Sequence, residues 1–222
     1  MNTANQKTKV AIIGLGNIGK TIATNLTKGN HPVILASREL YKAKELANNL
    51  GSLAISKETI DAIKEAGVVI PAIYFDKIKE FLKTYAKELQ GKIIVDVSNP
   101  IAPDGNGGFK KIIDQNQSAG KILSELVPKN AILVKAFGTL GAGSLANAAF
   151  SKPERKVLFY ASDSTNSNKQ IEELITDSGF EPFHIGGIDQ SIRIEVFGDL
   201  HEFGALGKPV TLEEAKSKVA QS

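Results

Sequence analysis

Three glycines near the start of the chain have the spacing of a phosphate-binding turn. Gly14, Gly16 and Gly19 follow a short apolar run at residues 9–13 and precede apolar positions that recur at helical spacing. In such a turn the first glycine permits a tight bend, the second lets the backbone approach a pyrophosphate, and the third lets the helix pack closely on the strand. The helix N-terminus then offers free N–H groups to the phosphates. The pattern predicts a dinucleotide site.

The residues after the second predicted strand indicate which dinucleotide binds. Sites for NAD carry an Asp or Glu at this strand end, which binds the ribose hydroxyls. This chain instead has Ser37 and Arg38 there, with Lys42 one turn further on. A hydroxyl and a guanidinium suit a 2′-phosphate, which a carboxylate would repel. Glu39 would reach back to a ribose only if the strand ran one residue longer, so the strand end predicts NADP(H).

The histidines offer little for acid–base or metal chemistry. His31 is predicted to be a turn residue, and His184 lies in an apolar stretch as a candidate core residue. His201, with Glu202, is the remaining candidate for either chemistry. We predict no catalytic and no metal-binding residue.

Alternating strands and helices must position these residues. The predicted strands lie at residues 9–13, 32–36, 52–55, 68–73, 92–97, 131–135, 157–161 and 180–185. The predicted helices lie at residues 17–28, 39–50, 58–65, 76–89, 119–126, 168–177 and 188–200, with a surface loop at 100–117. Because parallel neighbours need a crossover connection, this order predicts a Rossmann-type, doubly wound α/β fold with a mainly parallel sheet and helices on both faces. We expect one NADP-binding domain over residues 1–222, with a loose leader at 1–8 and a short C-terminal helical extension at about 187–222.

Composition excludes several classes of protein. The 222 residues include 27 Lys+Arg and 24 Asp+Glu, a net charge of +3, with 42% hydrophobic residues, which argues against disorder. Cysteine is absent, which excludes disulfides, thiol nucleophiles and cysteine-ligated metals. The sequence has no basic stripe of the kind that binds nucleic acid, and no apolar segment is long enough to span a membrane. We therefore expect a cytoplasmic protein whose partner is a small molecule, with no nucleic-acid or membrane partner.

Four segments, taken in order, resemble the coenzyme F420-dependent NADP oxidoreductase family. They are Gly14–Gly19, Ser37–Arg38 with Lys42, Val95–Pro100, and Val134–Leu140. The resemblance implies an NADP(H)-dependent oxidoreductase that exchanges hydride with a deazaflavin, coenzyme F420, or with a flavin. Relatives in the family pass electrons to flavin and through it to ferric iron. Gly138 departs from the family pattern, which typically has a polar side chain, often Asn, at this place.

The same resemblance implies a set of cofactor-binding residues besides Gly14 and Gly19. The pyrophosphate contacts would fall on Leu15, Gly16, Asn17 and Ile18, and the 2′-phosphate contacts on Ser37, Arg38 and Lys42. The ribose side would be lined by Ile73, Phe75 and Lys79, and the nicotinamide pocket by Asn99, Pro100 and Ala142. The Asn99 amide suits the nicotinamide carboxamide.

Two other functions and one interface stay open at this point. The chain also fits an NADPH reductase of a small carbonyl or imine compound. It also fits a non-catalytic NADP-binding sensor, because Gly138 lacks the side chain that the family has at this place.

Phe109 and Phe137 are predicted to be core residues rather than stacking platforms. An apolar face in the C-terminal segment is a candidate homodimer surface, formed by Ile188, Ile192, Val196 and Phe197.

Overall fold

The computed structural model describes residues 7–220, so most of the predicted leader and the last two residues lie outside it. The strands are β1 Val10–Ile13, β2 Val33–Ala36, β3 Ala54–Ser56, β4 Val68–Pro71, β5 Ile93–Asp96, β6 Ile101–Pro103, β7 Phe109–Lys111, β8 Ile132–Lys135, β9 Val157–Ser162 and β10 Glu181–His184. The α-helices are α1 Asn17–Lys28, α2 Leu40–Leu50, α3 Thr59–Glu65, α4 Phe75–Thr84, α5 Ala119–Ser124, α6 Ala142–Asn147, α7 Thr165–Asp177 and α8 Leu212–Ala220. Two 3-10 helices lie at Gly51–Leu53 and Ile188–Ile194.

One eight-stranded sheet organises the chain, in the order β10-β9-β8-β5-β4-β1-β2-β3. The six strands β3, β2, β1, β4, β5 and β8, in sheet order, are parallel to one another. Strand β9 is antiparallel to β8, and β10 is parallel to β9. The chain proceeds from β1 to β2 on one side and then crosses to β4 on the other. Ligands of open α/β sheets bind at such a switch point, beyond the carboxyl ends of the strands. The predicted Rossmann-type fold is confirmed.

The central strands are buried because helices cover both faces of the sheet. Every residue of β1, β2, β4 and β5 is buried, as expected for parallel strands. Ile12 and Leu26 belong to the core on one face, and Ile63 and Ile78 to the core on the other. None of the helices in the described part of the chain is long and apolar enough to cross a membrane.

A third apolar cluster attaches the C-terminal extension to the sheet. Phe159 of β9 belongs to this cluster. So do Leu206 and Val210, which precede α8, and Ala215 of α8. Between these elements, residues 188–194 form a 3-10 helix instead of the first half of the predicted α-helix. Phe197 then has a φ of +75°, a left-handed conformation that is unfavourable for a bulky side chain. The predicted helix over residues 188–200 is therefore correct only for residues 188–194, as a 3-10 helix, and wrong for residues 195–200, which form turns.

The structure corrects two other expectations. The predicted loop at 100–117 contains an antiparallel hairpin in which Ile101 of β6 faces Lys111 of β7. Phe109 lies on this hairpin and is 55% exposed, so its assignment to the core was wrong, whereas Phe137 is fully buried as predicted. The hairpin was missed because its strands are only three residues long and one of them ends in Pro103.

Most of the candidate dimer face is covered by the chain itself. Ile188 and Val196 are 3% and 7% exposed, because this segment packs against α5 and β9. Phe197 is 51% exposed. A homodimer through the C-terminal segment stays a prediction, with a smaller apolar surface to support it than the sequence suggests.

Candidate functional site

The glycine turn after β1 is built on close backbone contacts. The Gly14 N–H donates to the Ala36 carbonyl at 2.9 Å, and Gly14 has a φ of +95°. A Cβ on Gly14 would lie 2.6 Å from the Ala72 carbonyl oxygen, and one on Gly19 would lie 2.0 Å from the Gly14 carbonyl oxygen. A Cβ on Gly16 would meet no atom within 4 Å. Packing therefore requires glycine at positions 14 and 19, whereas the space beside Gly16, at the start of α1, is open.

The helix α1 leaves its first turn available to a ligand. Its N-cap is Gly16, and among residues 7–220 no side chain accepts a hydrogen bond from the first N–H groups. Asn17 is exposed, and Leu15 and Ile18 are half-buried. Uncapped N–H groups at a helix N-terminus favour an anion. The predicted pyrophosphate contacts therefore lie together around an open helix end.

The end of β2 presents an exposed guanidinium, and the carboxylate that follows it lies beyond the strand. Ser37 is half-buried and Arg38 is exposed, and within residues 7–220 the Arg38 guanidinium makes no hydrogen bond or ion pair. Because β2 ends at Ala36, Glu39 stands three residues beyond the strand, at the N-cap of α2. Its carboxylate accepts from Lys42 Nζ at 2.8 Å, and this hydrogen bond lowers the pKa of Glu39. Glu39 therefore forms an ion pair with Lys42 and does not stand at the strand end, where an acidic residue would bind the ribose hydroxyls.

The loop after β4 contributes less to the site than the resemblance implies. Ile73 packs on the glycine turn, since its Cγ2 lies 2.7 Å from the place of a Gly14 Cβ. The Phe75 side chain is 2% exposed and belongs to the core, so it presents no ring to a ligand. Lys79 is exposed, and its Nζ lies 4.8 Å from the centre of the Phe75 ring. Tyr74, which lies within the segment 73–75 predicted to line the ribose side, is 85% exposed at the start of the same helix.

Asn99 holds three segments together at the carboxyl ends of β5 and β8. Its Nδ2 donates to the Gly138 carbonyl at 3.0 Å, and its Oδ1 accepts from the Val196 N–H at 2.7 Å. The amide that we expected to bind the nicotinamide carboxamide is thus largely used within the chain. A Cβ on Gly138 would lie 2.8 Å from the Val97 carbonyl oxygen. The departure from the family pattern therefore has a packing reason.

A cluster of buried charges lies directly behind this edge. Lys135 Nζ, at the end of β8, donates to Asp96 Oδ2 at 2.7 Å and to the Ser98 carbonyl, and lies 3.9 Å from Glu195 Oε1. The side chains of Asp96, Lys135 and Glu195 are each at most 1% exposed. This cluster was not predicted from the sequence. The sequence signal for it was a charged residue at the end of each of two otherwise apolar strands, Asp96 in β5 and Lys135 in β8.

Glu195 connects the C-terminal segment to this cluster. Its two carboxylate oxygens each accept a hydrogen bond at 2.9 Å, from the N–H groups of Ala119 and Gly120 at the start of α5. Burial raises the pKa of Glu195, and nearby Lys135 opposes this shift. Two carboxylates thus face one ammonium in a site without access to water. The arrangement fixes residues 195–197 against the ends of β5 and β8.

His201 is a structural residue rather than an acid or base. Its Nδ1 accepts from the Phe203 N–H at 2.9 Å, so Nε2 carries the proton and donates to the Gly138 carbonyl at 2.9 Å. Burial lowers the pKa of His201 to about 4, which keeps the ring neutral. Glu202 accepts from the Gly141 N–H at 2.7 Å and from the Ser144 hydroxyl. These bonds anchor the C-terminal segment over the start of α6, where Ala142 is half-buried.

The other two histidines lie away from this edge. His31 is 1% exposed and pairs with Asp177 Oδ2 at 2.7 Å, so it is more than a turn residue. Its ligating atom and those of Glu173 and Asp177 lie within 4.8 Å of one another, but Lys7 also pairs with Asp177 there. His184 is exposed and stacks on Tyr160, so its assignment to the core was wrong.

The residues present fit a bound NADP(H). The open space at Gly16 and the uncapped start of α1 suit a pyrophosphate, and the guanidinium of Arg38 suits a 2′-phosphate. Ser98 Oγ and Thr139 Oγ1, at the ends of β5 and β8, are buried without a hydrogen-bond partner among residues 7–220. Buried hydroxyls are normally paired, so these two indicate a polar group of a ligand or a water molecule at the nicotinamide end.

Known proteins share both the sequence pattern and the fold. Residues 9–100 match the family model described as NADP oxidoreductase, coenzyme F420-dependent. A metalloreductase of rat, STEAP3, is 28% identical over 187 residues, which is 84% of this chain and 36% of that protein. The F420-dependent NADP reductase of Methanocaldococcus jannaschii is 34% identical over 104 residues, 42% of this chain and 46% of that protein.

A solved structure covers nearly the whole chain. It is a protein of Sinorhizobium meliloti described as hypothetical, with 33% identity and a TM-score of 0.80 over 94% of this chain and 97% of that one. The chain spans only about a third of the length of the metalloreductase it matches, so that protein's activity is not transferred with the likeness. The glycine turn, the order of the strands and the family-model match agree with one another. Over residues 9–100, which hold the glycine turn and the end of β2, the chain is similar to the family of coenzyme F420-dependent NADP oxidoreductases.

Proposed function

We propose that the protein transfers hydride between NADP(H) and a flat-ringed acceptor, a deazaflavin such as coenzyme F420 or a flavin. The observation that carries the proposal is the end of β2, where Arg38 is uncommitted within the described residues and no carboxylate occupies the ribose position. A guanidinium there binds a 2′-phosphate in a bidentate manner, which favours NADP(H) over NAD(H). The match of residues 9–100 to the model of NADP oxidoreductases supports the class of reaction.

The chain's own residues would bind and orient the nucleotide. The turn at Gly14–Gly19 and the start of α1 hold the pyrophosphate, which places the nicotinamide toward the ends of β5 and β8. There the buried cluster around Lys135 keeps the backbone of residues 96–98 and 195–197 in one arrangement. A rigid edge of this kind positions two rings for close contact, which hydride transfer requires.

The reaction needs no side chain to act as an acid. When bound, NADPH supplies a hydride, and the acceptor takes it together with a proton to give NADP⁺ and the dihydro-acceptor. His201 cannot supply that proton, because its Nε2–H is bonded to the Gly138 carbonyl and its ring stays neutral. Within this proposal the proton comes from solvent. A carbonyl or imine reductase would need a proton donor at the reacting atom. The unpaired donors that the described residues offer at this edge are the hydroxyls of Ser98 and Thr139, which are much weaker acids than the side chains that usually donate a proton.

The test is oxidation of NADPH under anaerobic conditions with riboflavin, FMN or coenzyme F420, compared with simple aldehydes and cyclic imines. The proposal predicts turnover with the flat-ringed acceptors and none with the others. Turnover with aldehydes or imines alone would support the carbonyl or imine reductase. Tight NADPH binding with no turnover on any acceptor would support the non-catalytic sensor. Ferric iron is tested in the same assay with and without added flavin, since the rat relative is named a metalloreductase.

A further inference from the structure

Two phenyl rings stand half-exposed in the C-terminal segment. Phe197 is 51% exposed and Phe203 is 54% exposed. The stretches of backbone that carry them touch: the Ala205 N–H donates to the Gly198 carbonyl at 3.3 Å, and a Cβ on Gly204 would lie 2.9 Å from the carbonyl carbon of Phe197. The two rings therefore emerge from adjoining backbone, unlike apolar side chains scattered singly over a surface.

Phe203 lies on the start of α6. Its Cζ lies 2.7 Å from the place of a Gly141 Cβ. Gly141 is the N-cap of α6 and directly precedes Ala142, a predicted nicotinamide contact. The N–H of Glu202, next to Phe203, donates to the Thr139 carbonyl at 3.1 Å. The Phe203 ring is therefore fixed against the chain just beyond the carboxyl end of β8.

Phe197 is tied to the end of β5, at the same edge of the sheet. It follows Val196, whose N–H donates to Asn99 Oδ1 at 2.7 Å. The left-handed φ of Phe197 is fixed from both sides, since the Gly198 N–H donates to the Glu195 carbonyl at 2.8 Å. Strained residues persist only where their surroundings hold them, and they cluster at ligand sites.

A buried hydroxyl gives an independent sign of a ligand at this edge. Thr139 is 1% exposed, and its Oγ1 has no hydrogen-bond partner within residues 7–220. Such a hydroxyl is normally paired, so a polar atom of a ligand or a water molecule is expected beside it. The charge next to Phe203 is already used, because the Glu202 carboxylate accepts from the Gly141 N–H and the Ser144 hydroxyl. Apolar rings with a single free hydroxyl suit a flat heteroaromatic ring better than a charged group.

We propose that Phe197 and Phe203 form an aromatic platform on which the ring of the hydride acceptor lies, facing the nicotinamide. The inference rests on the proposed function, because it concerns the acceptor of that reaction. Both residues lie outside residues 9–100, so the family-model match does not assign them. The platform favours a flavin or deazaflavin over a small aldehyde or imine, which has less surface to bury and no ring to stack. Both are positioning residues, since hydride passes from the nicotinamide to the acceptor and neither phenyl ring takes part in the transfer.

Riboflavin tests the platform, because it has the flavin ring without a phosphate. It is titrated into the full chain saturated with NADP⁺, and binding is followed by the anisotropy of flavin fluorescence. We expect Phe203→Leu and Phe197→Leu each to weaken binding about fivefold, because leucine keeps an apolar surface but loses the ring. Phe203→Tyr keeps the ring and should restore the affinity. In NADPH oxidation, Phe203→Leu should raise the KM for the acceptor and leave the KM for NADPH unchanged.

Tyr85→Leu is the matched control, since Tyr85 is a half-buried aromatic residue at the C-cap of α4, the end of that helix away from the ligand-binding edge. It should leave riboflavin binding unchanged, and unchanged NADPH binding shows that each variant is folded.

Unchanged riboflavin binding in both leucine variants of the platform, an equal loss in Tyr85→Leu, or an equal loss of NADPH binding would overturn the inference. A dimer that Phe203→Leu dissociates, with riboflavin binding unchanged, would also overturn it and assign the rings to an interface between copies of the chain. No binding of riboflavin by the unmodified protein would count against the platform as well. Failure of the proposed function is a different result, the absence of NADPH oxidation with every acceptor.

Discussion

Replacement of Lys135 by methionine tests how the C-terminal segment is held at the ligand-binding edge. Lys135→Met keeps the apolar stem and removes the charge. The carboxylates of Asp96 and Glu195, 0% and 1% exposed, would then remain buried without a counter-ion. Removal of one partner from a buried ion pair costs about 3–5 kcal/mol. Because folded domains are stable by only about 5–15 kcal/mol, we expect a large loss that still leaves folded protein in buffer.

The assay is urea unfolding at pH 7, followed by circular dichroism, with Lys44→Met as control. Lys44 is exposed on α2, so its replacement should change stability by less than about 0.5 kcal/mol. Without Lys135, only the hydrogen bonds from the N–H groups of Ala119 and Gly120 still oppose the rise of the Glu195 pKa caused by burial. A carboxyl whose pKa is raised in the folded state favours folding as the pH falls, so Lys135→Met should lose less stability at pH 5 than at pH 7. A loss below about 1 kcal/mol at pH 7, or the same loss at both pH values, would refute the reasoning.

Two further predictions concern Glu39 and His201. Glu39→Gln frees Lys42 from its ion pair, so NADPH should bind more tightly, by about threefold, with little change for NADH; isothermal titration calorimetry of the variant measures this. The pKa of His201 is about 4 in the folded protein against 6.5 for the free side chain, so the unfolded chain takes up the proton first and stability falls as the pH drops from about 6.5 to about 4. The full effect is about 3 kcal/mol, and His201→Gln should flatten this part of the pH dependence of the urea midpoint.

The fold and the dinucleotide turn were predictable because both follow from local pattern. Short β-branched runs between amphipathic segments allow few arrangements other than a parallel sheet. The glycine spacing likewise has a local geometric cause, which the packing at Gly14 and Gly19 displays. The predicted bounds of α1, residues 17–28, agree with the structure at both ends.

The nicotinamide end was harder to predict because its contacts are distant in sequence. The Asn99 amide bonds to Gly138 and Val196, which are 39 and 97 residues away, and no local pattern signals such pairings. Glu195 reaches the start of α5 from 76 residues downstream. The C-terminal segment was misassigned for a related reason. Its apolar spacing suits a helix, but its conformation is set by tertiary bonds to these residues.

The most direct measurement is a titration of the protein with NADPH and NADH, compared with Arg38→Ala and with Lys44→Ala as the control. We predict that NADPH binds at least about tenfold more tightly than NADH, since a guanidinium–phosphate pair is a strong, charge-assisted contact. Arg38→Ala should bring NADPH down to the affinity of NADH, and Lys44→Ala should change neither. Equal binding of the two nucleotides by the unmodified protein, or an unchanged preference for NADPH in Arg38→Ala, would contradict the assignment of an NADP(H) site at the end of β2.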